Sequence, residues 1–149
     1  MKIGEALSLL KKEKSRLSRL ISLRKENVFV EKGKEPQFSV KNLTEEINKK
    51  TEDIRKLKIK LQKTNQSTKI LDDNLTLAEA IIRIDDIRKN ISNLSELFEK
   101  RSLFRDKNEN EIPVIEQKKI EEEIEKLQTE KTKLDNKIQQ TNWSSQIID

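Results

Sequence analysis

Apolar residues recur along this chain at alternating spacings of three and four in four stretches, separated by polar breaks. The first stretch places Ile3, Leu7, Leu10, Leu17, Ile21 and Val28 on one stripe, with Lys14 and Arg24 filling its remaining positions. The second carries Leu43, Ile47, Ile54, Leu57 and Leu61. The third is the richest, with Leu77, Ala80, Ile84, Ile87, Ile91, Leu94 and Phe98, widened by Ile81 and Leu97. The fourth has Ile120, Ile124, Leu127, Leu134 and Ile138, interrupted by Lys131. Such spacing lines one face of an α-helix, so the pattern predicts four amphipathic helices. Thr76 followed by Glu79 has the form of a capping box, Asn42 with Glu45 is a looser version, and Ser39 is an alternative cap. Pro113 fits the first turn of the fourth helix. Breaks fall near 29–38, where Gly33 and Pro36 lie, near 65–75 and near 105–113. Helices of about 25 residues span roughly 38 Å at about 1.5 Å per residue. Linkers this short return each helix beside its predecessor.

The stripes also repeat. Ile3-Gly4-Glu5-Ala6-Leu7 matches Leu77-Ala78-Glu79-Ala80-Ile81 at an offset of 74, and the register continues through Leu10 with Ile84 and Leu17 with Ile91. The return helices match at an offset of 77, pairing Pro36 with Pro113, Leu43 with Ile120 and Leu57 with Leu134. Thr64-Asn65-Gln66-Ser67 parallels Thr141-Asn142-Trp143-Ser144, outside the heptad background that makes any two amphipathic helices look alike. The expected fold is all-α, two tandem antiparallel helical hairpins from internal duplication. Pseudo-repeats 1–70 and 71–149 would form a single domain, 1–149. An up-down-up-down bundle and an extended pair of coiled-coil hairpins both fit the pattern.

Composition supports long, solvated helices: of 149 residues, 40% are charged and 32% hydrophobic, with two Gly and two Pro. With neither Cys nor His, thiolate chemistry, disulfides, the commonest general base and the commonest zinc ligand are all missing. No apolar run approaches the roughly 18 residues needed to span a bilayer, and the amino terminus lacks a signal-peptide core. The net charge of +5 is uneven: residues 1–70 carry +10 and residues 71–149 carry −5. That split favours self-complementary packing over a nucleic-acid footprint. The basic run Lys11-Lys12-Glu13-Lys14 with Arg16 and Arg19 could touch phosphates non-specifically, but five aromatics and no Tyr leave little for base stacking.

No catalytic, cofactor-binding or metal-binding set emerges. The acidic clusters Asp72-Asp73, Asp85-Asp86 and Glu121-Glu122-Glu123 read as solvated faces. Candidate structural or interaction residues are Asn65, Asn142, Trp143, Phe29 and Phe104. Asn65 and Asn142 stand where an asparagine could close a helix in the left-handed conformation. Trp143, the single Trp, replaces Gln66 of the first repeat and could cover the core end or anchor a partner. Phe29 and Phe104 follow the two outgoing helices, either as plugs at the bundle end or as tips dipping into a membrane.

The chain resembles, over almost its full length, the septicolysin-like family of small helical bacterial proteins. The resemblance rests on Lys2-Ile3-Gly4-Glu5-Ala6-Leu7, on Thr64-Asn65 with Thr68, on Thr76-Leu77 through Ala80, Arg83 and Asp85, and on Asn142-Trp143. Ile84 departs from the family, where a second basic residue often follows the position of Arg83. The resemblance implies an all-helical oligomer without an established activity, and its label implies a haemolysin-like toxin. Residues and resemblance together give a non-enzymatic assembly or interaction protein. Its partners would be a second copy or another protein, without cofactor or small-molecule substrate. A membrane-active cytolysin is the alternative, and a non-specific nucleic-acid binder ranks below it. Location is expected to be cytoplasmic, with secretion only by a non-standard route.

Overall fold

The computed structural model describes residues 1–103 and 111–149, with side chains up to Glu99 and from Glu111 onward. The helices are α1 (Ile3–Glu26), α2 (Val40–Ser67), α3 (Leu77–Leu103) and α4 (Gln117–Ser144). Among the described residues there is no strand, only isolated antiparallel bridges at Lys2–Gln146 and Lys69–Thr76. The fold is all-α, two tandem hairpins. One compact unit is residues 1–67 with 142–149, holding α1 and α2; the other is residues 68–141, holding α3 and most of α4.

Helix starts follow local chemistry. The backbone N–H of Lys2 donates to the Glu5 carboxylate at 2.8 Å. Thr76 and Glu79 form the full capping box, each side chain accepting from the other residue's backbone N–H, at 2.7 and 3.2 Å. For α2 the cap is Ser39, whose hydroxyl accepts from the Asn42 N–H at 3.2 Å, so Asn42 lies inside the helix. Pro113 is not a first-turn residue: α4 begins four positions later at Gln117. Asn27 closes α1 by donating to the Leu23 carbonyl at 2.8 Å and accepting from the Phe38 N–H at 3.2 Å, which ties down the linker.

Helix ends depart from expectation at both asparagines. Asn65 and Asn142 lie within α2 and α4, which run on to Ser67 and Ser144. Among the described residues, only Asp72 combines a side chain with positive φ. Hydroxyls bonded one turn back, Thr64 to the Lys60 carbonyl at 2.7 Å and Ser67 to that of Lys63 at 3.1 Å, accompany the helical last turn of α2.

Hairpin 1 is antiparallel, with Arg24 beside Thr44 and Glu13 beside Lys50. From α2, Leu43, Ile47, Ile54, Leu61 and Thr64 are buried. The facing stripe of α1 has a different phase from the one its sequence suggests. Ile3 and Ala6 are buried and Leu10, Leu17, Leu20 and Leu23 half-buried, while Leu7, Ile21 and Val28 are exposed. Glu13, rather than Lys14, therefore occupies the seam and pairs with Lys50 of α2. Counting apolar residues favoured Leu7 and Lys14, but Lys14 opposite Lys50 would bring two like charges into a drying interface.

Hairpin 2 keeps the expected stripe. Leu77, Ala80, Ile84 and Ile87 of α3 are buried with Ile120, Leu134 and Ile138 of α4, but Ile81 and Leu97, expected to widen that stripe, are exposed, so the buried face is narrower than the sequence suggests. At the repeat positions of Glu13 and Lys50 stand Ile87 and Leu127, so an ion pair in one hairpin corresponds to an apolar pair in the other. Half-buried Lys131 reaches its own helix's Asp135 at 3.4 Å.

Candidate functional site

The most elaborate local chemistry lies where each hairpin is closed by a short extended segment. In hairpin 1 this strap is Ser145–Ile148. The Ile3 N–H donates to the Ser145 carbonyl at 3.1 Å and the Ile147 N–H to the Met1 carbonyl at 2.9 Å. The Ile148 N–H donates to the hydroxyl of Thr64, which itself donates to the Lys60 carbonyl at 2.7 Å. Hairpin 2 repeats every bond with residues 68–71. There the Leu77 N–H donates to the Thr68 carbonyl at 2.8 Å and the Ile70 N–H to the Leu75 carbonyl at 2.9 Å. The Leu71 N–H donates to the hydroxyl of Thr141, which donates to the Lys137 carbonyl at 2.7 Å. Thr64 and Thr141 are 0% and 2% exposed, so each hydroxyl serves two backbone groups that water cannot easily reach.

The two closures differ in how they are covered. Over hairpin 1 lies Trp143, from the last turn of α4, with its indole against the backbone of Gly4. A β-carbon at Gly4 would sit 2.7–2.9 Å from the indole atoms Cδ2, Cε2 and Cε3, closer than carbon atoms approach. Trp143 as a whole remains 52% exposed. The repeat positions hold Ala78 and Gln66, so the glycine and the tryptophan occur together. Asn142 is buried in the same turn and Asn65 is half-buried in the last turn of α2.

Phe29 is 89% exposed in the α1–α2 linker, which overturns the plug reading for it. Val28 and Val30 beside it are exposed too, as are Ile112, Val114 and Ile115 before α4. Phe104 lies outside the described residues.

Hairpin 2 carries a shallow charged cleft of about 130 Å³, lined by Asp73, Arg83, Glu130, Lys133, Leu134 and Lys137. Arg83 binds one Glu130 oxygen at 2.6 and 3.1 Å, and Lys137 lies 3.5 Å from Asp73. These pairs satisfy one another rather than pointing at a vacant centre. Burial raises the Asp73 carboxyl, but N–H donors from Leu75 and Asn74, with the Lys137 charge, leave it below its ordinary value. Glu79 is lowered by the Thr76 N–H and hydroxyl that it caps. For Glu13, the hydrogen bond from Lys50 outweighs desolvation and lowers it as well. All three shifts stabilise the ionised form, which suits structural ion pairs better than proton transfer at neutral pH. Among the described residues, no three acidic side chains converge as a metal set and no helix is long and apolar enough to cross a membrane.

Sequence reasoning singled out the asparagines of the Thr-Asn pairs and missed that the threonines do the bonding. The recurrence of Thr64 and Thr141 was the available signal. The Glu13–Lys50 pair and the straps had none, since each depends on residues far apart in sequence.

Comparison with curated proteins finds no match. A solved structure described as a functionally unknown conserved protein from Corynebacterium diphtheriae is similar in fold. It has a TM-score of 0.86 and 23% identity, over 99% of this chain and 99% of that one. The model of a family described as a family of unknown function (DUF6847) matches residues 11–147. Matched over nearly its whole length, this chain belongs to that family.

Proposed function

We propose that this is a non-enzymatic assembly protein whose contact surface is centred on Trp143, with a second copy of the chain as the first partner to test. The observation that carries this reading is a half-exposed tryptophan whose indole lies against a glycine, a large side chain that supplies contact area already seated on the protein. The paired charges of the cleft, the downward carboxyl shifts and a sequence without His or Cys support a role in binding rather than catalysis. The septicolysin-like resemblance, with its implied oligomer, belongs to the same reading. Sedimentation equilibrium at micromolar concentration is expected to give a defined oligomer that Trp143→Ala weakens at least tenfold. A monomer throughout, or an oligomer indifferent to Trp143, removes the proposal.

A second reading, the membrane-active one, is favoured by a separate observation. Val28, Phe29 and Val30 stand exposed at a hairpin tip beside Lys25, Lys32 and Lys34. Apolar side chains ringed by cations suit an anionic bilayer surface. Under this reading, co-sedimentation with phosphatidylserine vesicles is lost on Phe29→Ser and at high salt. Binding that survives Phe29→Ser, or no binding at all, excludes it.

A further inference from the structure

Hairpin 1 is closed by a segment from a distant part of the chain, whereas hairpin 2 is closed by its immediate neighbour in sequence. The strap at 68–71 leads directly into Thr76 and Leu77, the residues it pairs with. The strap at 145–148 pairs with Met1, Lys2 and Ile3, which lie at the opposite end of the sequence given. The two straps also differ in anchoring: Ile70 is 2% exposed, while its counterpart Ile147 is only half-buried. Most of the strap's bonds come from backbone groups and the Thr64 hydroxyl. The notch therefore recognises an extended main chain with an aliphatic residue following, not one particular molecule's tail.

We propose that the notch formed by Met1–Ile3 and Thr64 receives the 145–148 strap of a second copy, so that chains join by strap exchange. A reciprocal exchange re-forms every hydrogen bond of the closed chain, which makes it a low-cost route to a dimer. The residue contributed by the partner copy is then Ile148, whose N–H satisfies Thr64 across the chains. This inference rests on the assembly reading and specifies how the copies join.

The test uses the natural absence of cysteine. Lys2 and Gln146 are both exposed and form a bridge whose flanking residues carry the hydrogen bonds. In such an antiparallel pair the Cα atoms lie about 4.5 Å apart, within reach of a disulfide. Lys2→Cys and Gln146→Cys chains are purified separately, mixed at micromolar concentration and oxidised with oxidised glutathione. A mixture of Lys69→Cys and Thr76→Cys chains, whose strap is local, sets the collisional background. Exchange predicts a mixed covalent dimer at least fivefold above that background, rising with concentration. Cross-linking no higher than background overturns strap exchange. If sedimentation nonetheless finds a Trp143-dependent oligomer, the assembly reading stands without it; if sedimentation finds monomer, both fall together.

Discussion

Gly4 and Trp143 meet as a bare stretch of helix backbone beneath an indole, a contact that is testable because Trp143 is the single tryptophan. Gly4→Ala places a methyl group where the indole lies, so the ring must swing outward and its fluorescence should shift to the red. The same change removes a helix glycine, worth roughly 0.5–1 kcal/mol. Combining Gly4→Ala with Trp143→Gln installs the Ala78 and Gln66 chemistry of the other repeat. That double variant should be at least as stable as the parent in urea titrations. A double variant less stable than Gly4→Ala alone would mean that the indole contributes more than a cover. Thr64 makes a sharper demand. Thr64→Val keeps the shape but leaves the Ile148 N–H without its acceptor, a loss of about 1–3 kcal/mol in urea unfolding. An unchanged midpoint would show that the strap does not remain in place.

At the scale of elements, the seam of hairpin 1 is decided by one ion pair. Glu13 and Lys50 keep 14% and 26% of their side chains exposed and face each other from α1 and α2. The corresponding Ile87 and Leu127 of hairpin 2 show that the same backbone position accepts apolar residues. Removing one partner strands the other charge against Leu10, Leu17 and Ile47, whereas replacing both does not. Glu13→Ile and Lys50→Leu should therefore each lower Tm, and the double variant should recover most of the loss. Purely additive losses in that cycle would show that the two charges act independently. A seam with one charged and one apolar layer also distinguishes α2 from α4 as a partner for α1, since Leu127 would leave Glu13 unpaired. Polar seam residues set register in this way in coiled coils.

Across the whole molecule, three depressed carboxyls set the pH response. Glu13 and Glu79 lie below the ordinary 4.5 and Asp73 below 3.8. A folded-state value below the unfolded one contributes stability that is complete above the unfolded value and disappears as pH falls through the folded one. Thermal stability should thus stay level from neutrality down to about pH 5 and decline below it. Glu13→Gln and Glu79→Gln should each flatten that decline, as read from thermal melts at pH 3 and pH 7. A decline beginning above pH 6 would point to other groups. The charge division between the halves of the chain, +10 and −5, adds a salt dependence to any self-association.

The amino-acid sequence by itself determined four helices, their pairing as two tandem hairpins and the capping of α3, because heptad spacing and a Thr-x-x-Glu box are local signals. It also pointed to Trp143 through the break in repeat symmetry. The phase of α1 was beyond it: Leu7 with Lys14 and Ala6 with Glu13 are both heptads, and only Lys50 on another helix selects between them. The roles of Thr64, Thr141 and Gly4 were equally hidden, since each depends on a backbone or ring brought in from elsewhere in the chain. Periodicity says which residues can share a face; which face is buried, and against what, is settled only when the facing element supplies its charges and its unpaired N–H groups.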